Sequence, residues 1–253
     1  MRILVTGATG YVGGRLVPEL LAAGHDVRCL ARTPSKLDGF AWREQVEVVA
    51  GDVTDAASTT AALDGCDVAY YLVHSMGTEA GFDARDRQAA ATFRGSAAAA
   101  GVRRVVYLGG LGDDDDPELS RHLRSRHEVG QVLAGGPVPV TELRAAVVIG
   151  SGSASFEMLR HLVDVLPVMV CPKWVRTRCQ PIAVRDVLRH LSAAAGDGGP
   201  SAVREVGGPE VLTYLEMMRV YAEVAGLPRR LVLPVPLLTP RLSSLWIGLV
   251  TPL

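Results

Sequence analysis

The stretch VTGATGYVGG (5–14) constrains this chain more than any other. It follows the apolar run RILV and leads into YVGGRLVPELLAAGH, whose periodicity predicts a helix ending at Gly24. Gly7, Gly10 and Gly13 give the pattern GxxGxxG. One glycine lets the chain turn sharply off a strand, and another removes the Cβ that would collide with a pyrophosphate. A third lets helix and strand approach closely, while the helix N-terminus offers free N–H groups to phosphates. Gly7, Thr9, Gly10, Tyr11, Val12 and Gly13 are therefore expected to hold a dinucleotide; a structural glycine turn is the alternative. Pro18 removes the helical hydrogen bond to Gly14, and the sequence offers only a local kink in return.

Strands and helices alternate after this start. DVRCLA, VEVVA, DVAYYLV, RRVVYLG and VTELRAAVVIG read as buried strands, with alanine-rich helical stretches such as 82–100 between them. This rhythm predicts an α/β protein, a Rossmann-type doubly wound parallel sheet with helices on both faces. It loosens near residue 150. We expect a dinucleotide-binding domain over 1–150 and a small C-terminal α+β cap over 151–253 carrying the substrate side. With 48% hydrophobic and 21% charged residues in 253, the chain can bury a large core.

A net charge of -1 gives no basic field for nucleic acid. Cys29, Cys66, Cys171 and Cys179 form no CxxC pair and no metal spacing, so no metal is expected; they read as reduced thiols of a cytoplasmic protein. The start MRILVTG predicts a strand from residue 2, and no secretory signal is expected before it. The apolar C-terminus is broken by prolines and Arg241, and its uncharged stretch 242–253 falls short of the ~20 residues of a membrane span. It is expected to pack on another domain or subunit, or on a segment further downstream.

The second strand ends LARTPSKL. A carboxylate here would bind a ribose 2′-hydroxyl, whereas a cation accommodates a 2′-phosphate. Arg32 stands at that place and Lys36 follows, with no acid between Val27 and Leu37, which favours NADP(H) over NAD(H). Asp52 after the third strand is positioned for the adenine amino group, with Val53 beside the ring; a turn or a cap for a helix over 54–63 is compatible. The fourth strand ends Val73-His74-Ser75-Met76, where strand ends line the ligand crevice. Val73 is expected beside the cofactor. His74 and Ser75 are placed to polarise a substrate, and a structural histidine is the alternative.

With TGATGYVG, the basic residue after the second strand, GDVTD, YYLVHSM, VVYLGGLG and HLRSRHEVG, the chain resembles the atypical, NmrA-like branch of the short-chain dehydrogenase/reductases. That branch includes bacterial NAD(P)H-binding proteins related to a complex I accessory subunit. The resemblance implies a serine after the fifth strand and Tyr-x-x-x-Lys on the next helix. Here Gly109–Gly110 occupy the serine's place, and His122 and Arg126 stand for tyrosine and lysine, with Ser125 between.

His122 and Arg126 share a helix face that Val129 and Leu133 continue. Arg126 can donate to ribose or phosphate and cannot act as a base. A cation beside His122 should lower its pKa from about 6.5, giving a usable base and a poor acid. His122 and His74 are thus the catalytic candidates, and Arg126 joins the cofactor contacts. Arg121, Arg124 and His127 are expected in solvent, Tyr107 in the core, and Asp113–Asp116 with Pro117 at a helix start. GSGSASF (150–156) suits the substrate side or a serine-capped helix, and Arg176 and Arg178 near Trp174 suit an anionic group. Two functions follow. One is an NADPH-dependent oxidoreductase acting on a small quinone-like or conjugated acceptor. The other is a non-catalytic NADP(H)-binding redox sensor or assembly subunit with a regulatory protein partner.

Overall fold

The computed structural model describes residues 1–74, 81–117, 119–171, 173–228 and 230–234. Ser75 and the apolar segment 242–253, both singled out above, lie outside the described residues. The chain forms two compact units, Met1–Ala145 with Arg185–Val206, and Ala146–Val184 with the described part of Gly207–Leu253.

The first unit is built on β1 (Arg2–Thr6), β2 (Asp26–Ala31), β3 (Glu47–Ala50), β4 (Val68–Tyr71), β5 (Arg104–Gly110), β6 (Val140–Ala145) and β11 (Ala202–Val206). They form one parallel sheet in the order β11-β6-β5-β4-β1-β2-β3. This is the doubly wound order, whose direction reverses between β1 and β4. All the strand ends that carry Gly7, Arg32, Asp52, His74 and Gly110 therefore share one edge.

Successive residues of a strand face opposite sides. Tyr71 meets Phe93 of α3 (Phe82–Ala99), ring centroids 4.9 Å apart, within a core that includes Val129 and Leu133 of α4 (Arg121–Ala134) and Leu63 of α2 (Ala56–Leu63). Its neighbour Tyr70 points to the other face and donates to the Leu191 carbonyl of α6 (Val184–Ala194) at 2.8 Å.

That bond bears on the boundary. A linear split at residue 150 puts α6 and β11 in the second domain; the structure returns both to the sheet. Arg104, 3% exposed, donates to the carbonyls of Asp197 and Gly199, so the GDGGP loop is pinned rather than plain. β11 extends the sheet beyond β6 because its backbone groups pair there.

The second unit has short strand pairs: β7 (Val148–Ile149) with β10 (Ile182–Ala183), β9 (Arg178–Cys179) with β12 (Leu212–Thr213), and β8 (Val168–Cys171) with β13 (Leu231–Pro234). Helices α5 (Ala154–Val165) and α7 (Tyr214–Val224) bury Leu159, Leu162, Met217 and Met218 among them. Thr213 and Glu216 start α7 with a reciprocal capping box. Ser153 precedes α5, but its hydroxyl donates back to the Val148 carbonyl at 2.8 Å, so the serine-cap expectation fails there. Glu157 accepts from the Gly152 N–H instead.

Candidate active site

The glycine loop turns tightly at the switch point. Gly7 has φ +73°, and a Cβ on it would lie 2.6 Å from the Leu72 carbonyl oxygen beyond β4. Side chains rarely adopt that backbone region, and the neighbour is backbone that cannot yield. Gly10 donates to the Gly7 carbonyl at 2.9 Å. A Cβ on Gly13 would strike the Gly7 carbonyl, 2.8 Å from its carbon, and reach 3.0 Å from the Ala8 Cα. Helix α1 (Gly13–Ala22) consequently begins against the loop itself. It starts without a side-chain cap; the Gly14 N–H donates to the Gly10 carbonyl at 2.9 Å and the Arg15 N–H to the Val12 carbonyl at 3.1 Å.

Beyond β2, Arg32 and Lys36 are both exposed and make no ion pair among the described residues. Lys36 lies in a short 3-10 turn, Pro34–Leu37, whose Leu37 is fully buried. Asp52 Oδ1 accepts from the N–H and hydroxyl of Thr54, at 2.9 and 2.8 Å. The cap of α2 is Asp55, which accepts from the Ser58 N–H, so Asp52 forms a turn and not the helix cap. Val53 and Val73 are half-buried against the core on the α2–α4 side.

The two candidate histidines come together. His74, just past β4, and His122, on the first turn of α4, have ring centroids 6.2 Å apart with planes at 69°. Burial lowers the His74 pKa to about 4, and the charges of Arg126 and His122 push the same way against Asp86. His74 is nonetheless exposed. Burial and Arg126 also lower His122. Both shifts favour the neutral ring at pH 7. Arg126 is docked in both directions: its Nη2 donates to the Leu108 carbonyl at 3.0 Å, and its own carbonyl accepts from the buried Tyr107 hydroxyl at 2.9 Å. Burial raises the Tyr107 hydroxyl well above its ordinary range.

Two expectations from the sequence fail beside this site. Pro117 does not open a helix; α4 starts at Arg121, capped by the Ser120 hydroxyl, which accepts from the Leu123 N–H. His127 is not in solvent but 3% exposed. Its Nε2 lies 2.9 Å from the Gly110 carbonyl, and its Nδ1 lies 2.5 Å from Asp114 Oδ1, close but without hydrogen-bond alignment. Asp114 also binds Arg144 at 3.0 Å, and Arg144 binds Glu142 at 2.9 Å. The acidic run thus sends the half-exposed Asp114 carboxylate to the buried Arg144 guanidinium, which pairs on its other side with the buried Glu142. Glu142 fills the space left by two glycines, since a Cβ on Gly109 would lie 2.8 Å from its Oε1 and one on Gly130 would overlap its carboxylate. Arg121 pairs with Asp83 at 3.0 Å, and Arg124 donates to the Leu119 carbonyl.

A family model described as NAD(P)H-binding matches residues 7–147, more than half the chain. The chain belongs to the NAD(P)H-binding family. This bears out the resemblance to the atypical short-chain dehydrogenase/reductases. Among curated relatives, the (4-alkanoyl-5-oxo-2,5-dihydrofuran-3-yl)methyl phosphate reductase of Streptomyces griseus is 33% identical over 235 residues, covering 90% of this chain and 75% of that protein. A 3 beta-hydroxysteroid dehydrogenase/Delta 5-->4-isomerase of Mycobacterium tuberculosis is 40% identical over 116 residues, covering 42% of this chain and 30% of that one. The chain spans three quarters of the first relative but under a third of the second. The solved structure of the dTDP-glucose 4,6-dehydratase DesIV from Streptomyces venezuelae, with NAD and TYD bound, superposes with a TM-score of 0.76 at 20% identity, over 93% of this chain and 84% of that one. MoeE5 in complex with UDP-glucose and NAD gives 0.75 at 21%, over 93% and 85%. At these identities the structures speak for the fold.

The NAD(P)H-binding chain meets the physical demands of its cofactor. Gly7, Gly10 and Gly13 pack without Cβ atoms against backbone of the loop and of Leu72, beside the start of α1. Among the described residues, Arg176 and Arg178 are exposed in the second unit and no metal-binding group occurs. No helix among them is long and apolar enough to cross a membrane. The sequence reading missed Glu142 and Arg144. Two charges at i and i+2 inside an apolar strand were the available signal, since they must share a face and be paired.

Proposed function

We propose that this protein is an NADPH-dependent reductase of a conjugated acceptor that works without the usual serine, tyrosine and lysine. The observation that carries the reading is the His74–His122 pair with Arg126 behind it, two residues past the Leu72 carbonyl that abuts Gly7. The triad is replaced: Gly109–Gly110, His122 and Arg126 stand at its places, and the Glu142 carboxylate leaves no room for a side chain on Gly109. Tyr107 does not substitute, since its hydroxyl is spent on the Arg126 carbonyl.

Gly7, Thr9, Gly10, Tyr11, Val12 and Gly13 would hold the diphosphate, Arg32 and Lys36 the 2′-phosphate, and Asp52 with Val53 the adenine. Val73 and Arg126 would lie on the nicotinamide side. When bound, NADPH supplies a hydride. Neutral imidazoles are weak acids, so a simple ketone would lack its proton donor at the transition state. An alkene conjugated to carbonyls needs less: the negative charge spreads onto oxygen, where Arg126 and an imidazole N–H stabilise it, and a proton follows from water. The Streptomyces griseus relative's name describes such a group, a ring alkene conjugated to a ring carbonyl and an alkanoyl carbonyl.

A second reading, an NADP(H)-binding sensor or assembly subunit without turnover, is favoured by the commitment of Tyr107 to structure. An NADPH-consumption screen across butenolides, enones, quinones and simple ketones separates the two. The reductase reading expects turnover of conjugated acceptors over ketones, lowered at least tenfold by His122→Ala. NADPH binding with no turnover of any acceptor refutes it in favour of the sensor.

A further inference from the structure

Pro18 sits inside α1, where its ring leaves the Gly14 carbonyl without the N–H four residues on. That carbonyl is not orphaned. Trp42 Nε1 donates to it at 3.0 Å. Trp42 is 6% exposed and stacks on Phe40, centroids 4.7 Å apart at 30°. Phe40 in turn closes on the helix: a Cβ on Gly14 would lie 2.8 Å from its Cε1. The connection from β2 to β3 is wound by successive backbone bonds, Lys36 to Thr33, Asp38 to Ser35, Phe40 to Leu37, Arg43 to Phe40 and Gln45 to Trp42. The segment that carries Arg32 and Lys36 is therefore stiff, and one buried polar bond fastens it to the glycine-loop helix.

We propose that Pro18, Gly14 and Trp42 form a clamp that holds Arg32 and Lys36 in register with the diphosphate cradle, making Trp42 a positioning residue for coenzyme choice. This rests on the NADPH reading above. The diphosphate is common to both coenzymes and is bound by α1. The 2′-phosphate belongs to NADPH alone, and its cations reside on a different loop. Long cationic side chains lose rotamer freedom when they engage a phosphate, and a loosened loop adds backbone freedom to that loss. Loosening the clamp thus penalises NADPH and spares NADH. The proline leaves the Gly14 carbonyl to the indole, because any other residue at 18 would supply a helical N–H to the same oxygen.

Calorimetric titration with NADPH and NADH tests this on the wild-type chain, Trp42→Phe, Trp42→Phe/Pro18→Ala and Arg32→Glu. Trp42→Phe is expected to weaken NADPH about tenfold while NADH stays within about twofold. The double variant gives the Gly14 carbonyl a helical partner again, so it regains melting temperature, guarding against a folding failure, yet keeps the lost preference. Equal weakening of both coenzymes, or a preference restored in the double variant, overturns the clamp. A ratio changed by Arg32→Glu but not by Trp42→Phe overturns the clamp alone. A ratio unchanged by Arg32→Glu overturns the cofactor assignment and the clamp with it.

Discussion

Arg144→Met probes the buried charge cluster behind α4. The Arg144 side chain is 8% exposed and Glu142 5%, joined at 2.9 Å, while Asp114 keeps 46% of its surface in water. Removing the guanidinium leaves the Glu142 carboxylate buried without its ion-pair partner. Breaking one side of a buried pair costs about 3–5 kcal/mol. The half-exposed Asp114 adds little, because water resolvates it. With a urea m-value of roughly 2–3 kcal/mol/M, the midpoint should fall by about 1–2.5 M. Glu142→Leu/Arg144→Met removes both charges and is expected to recover to within about 1 kcal/mol of the wild type.

The pH dependence has a sign. Burial raises the Glu142 pKa, with Arg144 only partly offsetting it. A raised folded-state pKa gives stability that is present at low pH and lost as pH rises through it. Without Arg144 the pKa climbs further, so the penalty of the single variant should be smaller at pH 5 than at pH 8. Urea unfolding followed by tryptophan fluorescence and far-ultraviolet dichroism reads all of this. A single variant costing under about 1 kcal/mol, or a double variant no better than the single, would refute the reasoning.

Three further outcomes are expected. Gly13→Ala drives a Cβ onto the Gly7 carbonyl, so α1 must shift; binding of both coenzymes should fall more than a hundredfold and the melting temperature by about 4–10 °C. Gly109→Ser should lower stability and give no gain in turnover, because its Cβ would lie 2.8 Å from Glu142 Oε1; increased carbonyl reduction would contradict this. His74, pushed down to about 4, and His122, also lowered, act as neutral rings. Depressed pKa values place any loss on the acid side, so NADPH consumption should be flat from pH 6.5 to 8 and fall only towards pH 4–5. An acid limb centred at the ordinary histidine value would count against the pair.

The glycine loop and the sheet were legible because both are local. Gly7, Gly10 and Gly13 announce a turn whose reason is steric, and β2 spans the six residues DVRCLA as the pattern suggests. What escaped depends on distant partners. Pro18 looked like a defect because its remedy, Trp42, arrives 24 residues later from another loop. His127 looked solvated because it stands among arginines on its helix, yet Asp114 and the Gly110 carbonyl meet it inside. The boundary at 150 failed because β11 finds its partner in β6, a pairing no local pattern encodes. His74 and His122 were named separately, and only the topology brings them within 6.2 Å.

On the proposed reading, the glycine cradle takes a nicotinamide dinucleotide and Arg32 with Lys36 selects its phosphorylated form. Isothermal titration of the purified chain with NADPH and then NADH addresses both halves at once. We predict saturable one-to-one binding of NADPH, at least tenfold tighter than NADH, with that ratio collapsing in Arg32→Glu. Equal affinities, or no binding of either coenzyme to the folded protein, would contradict it.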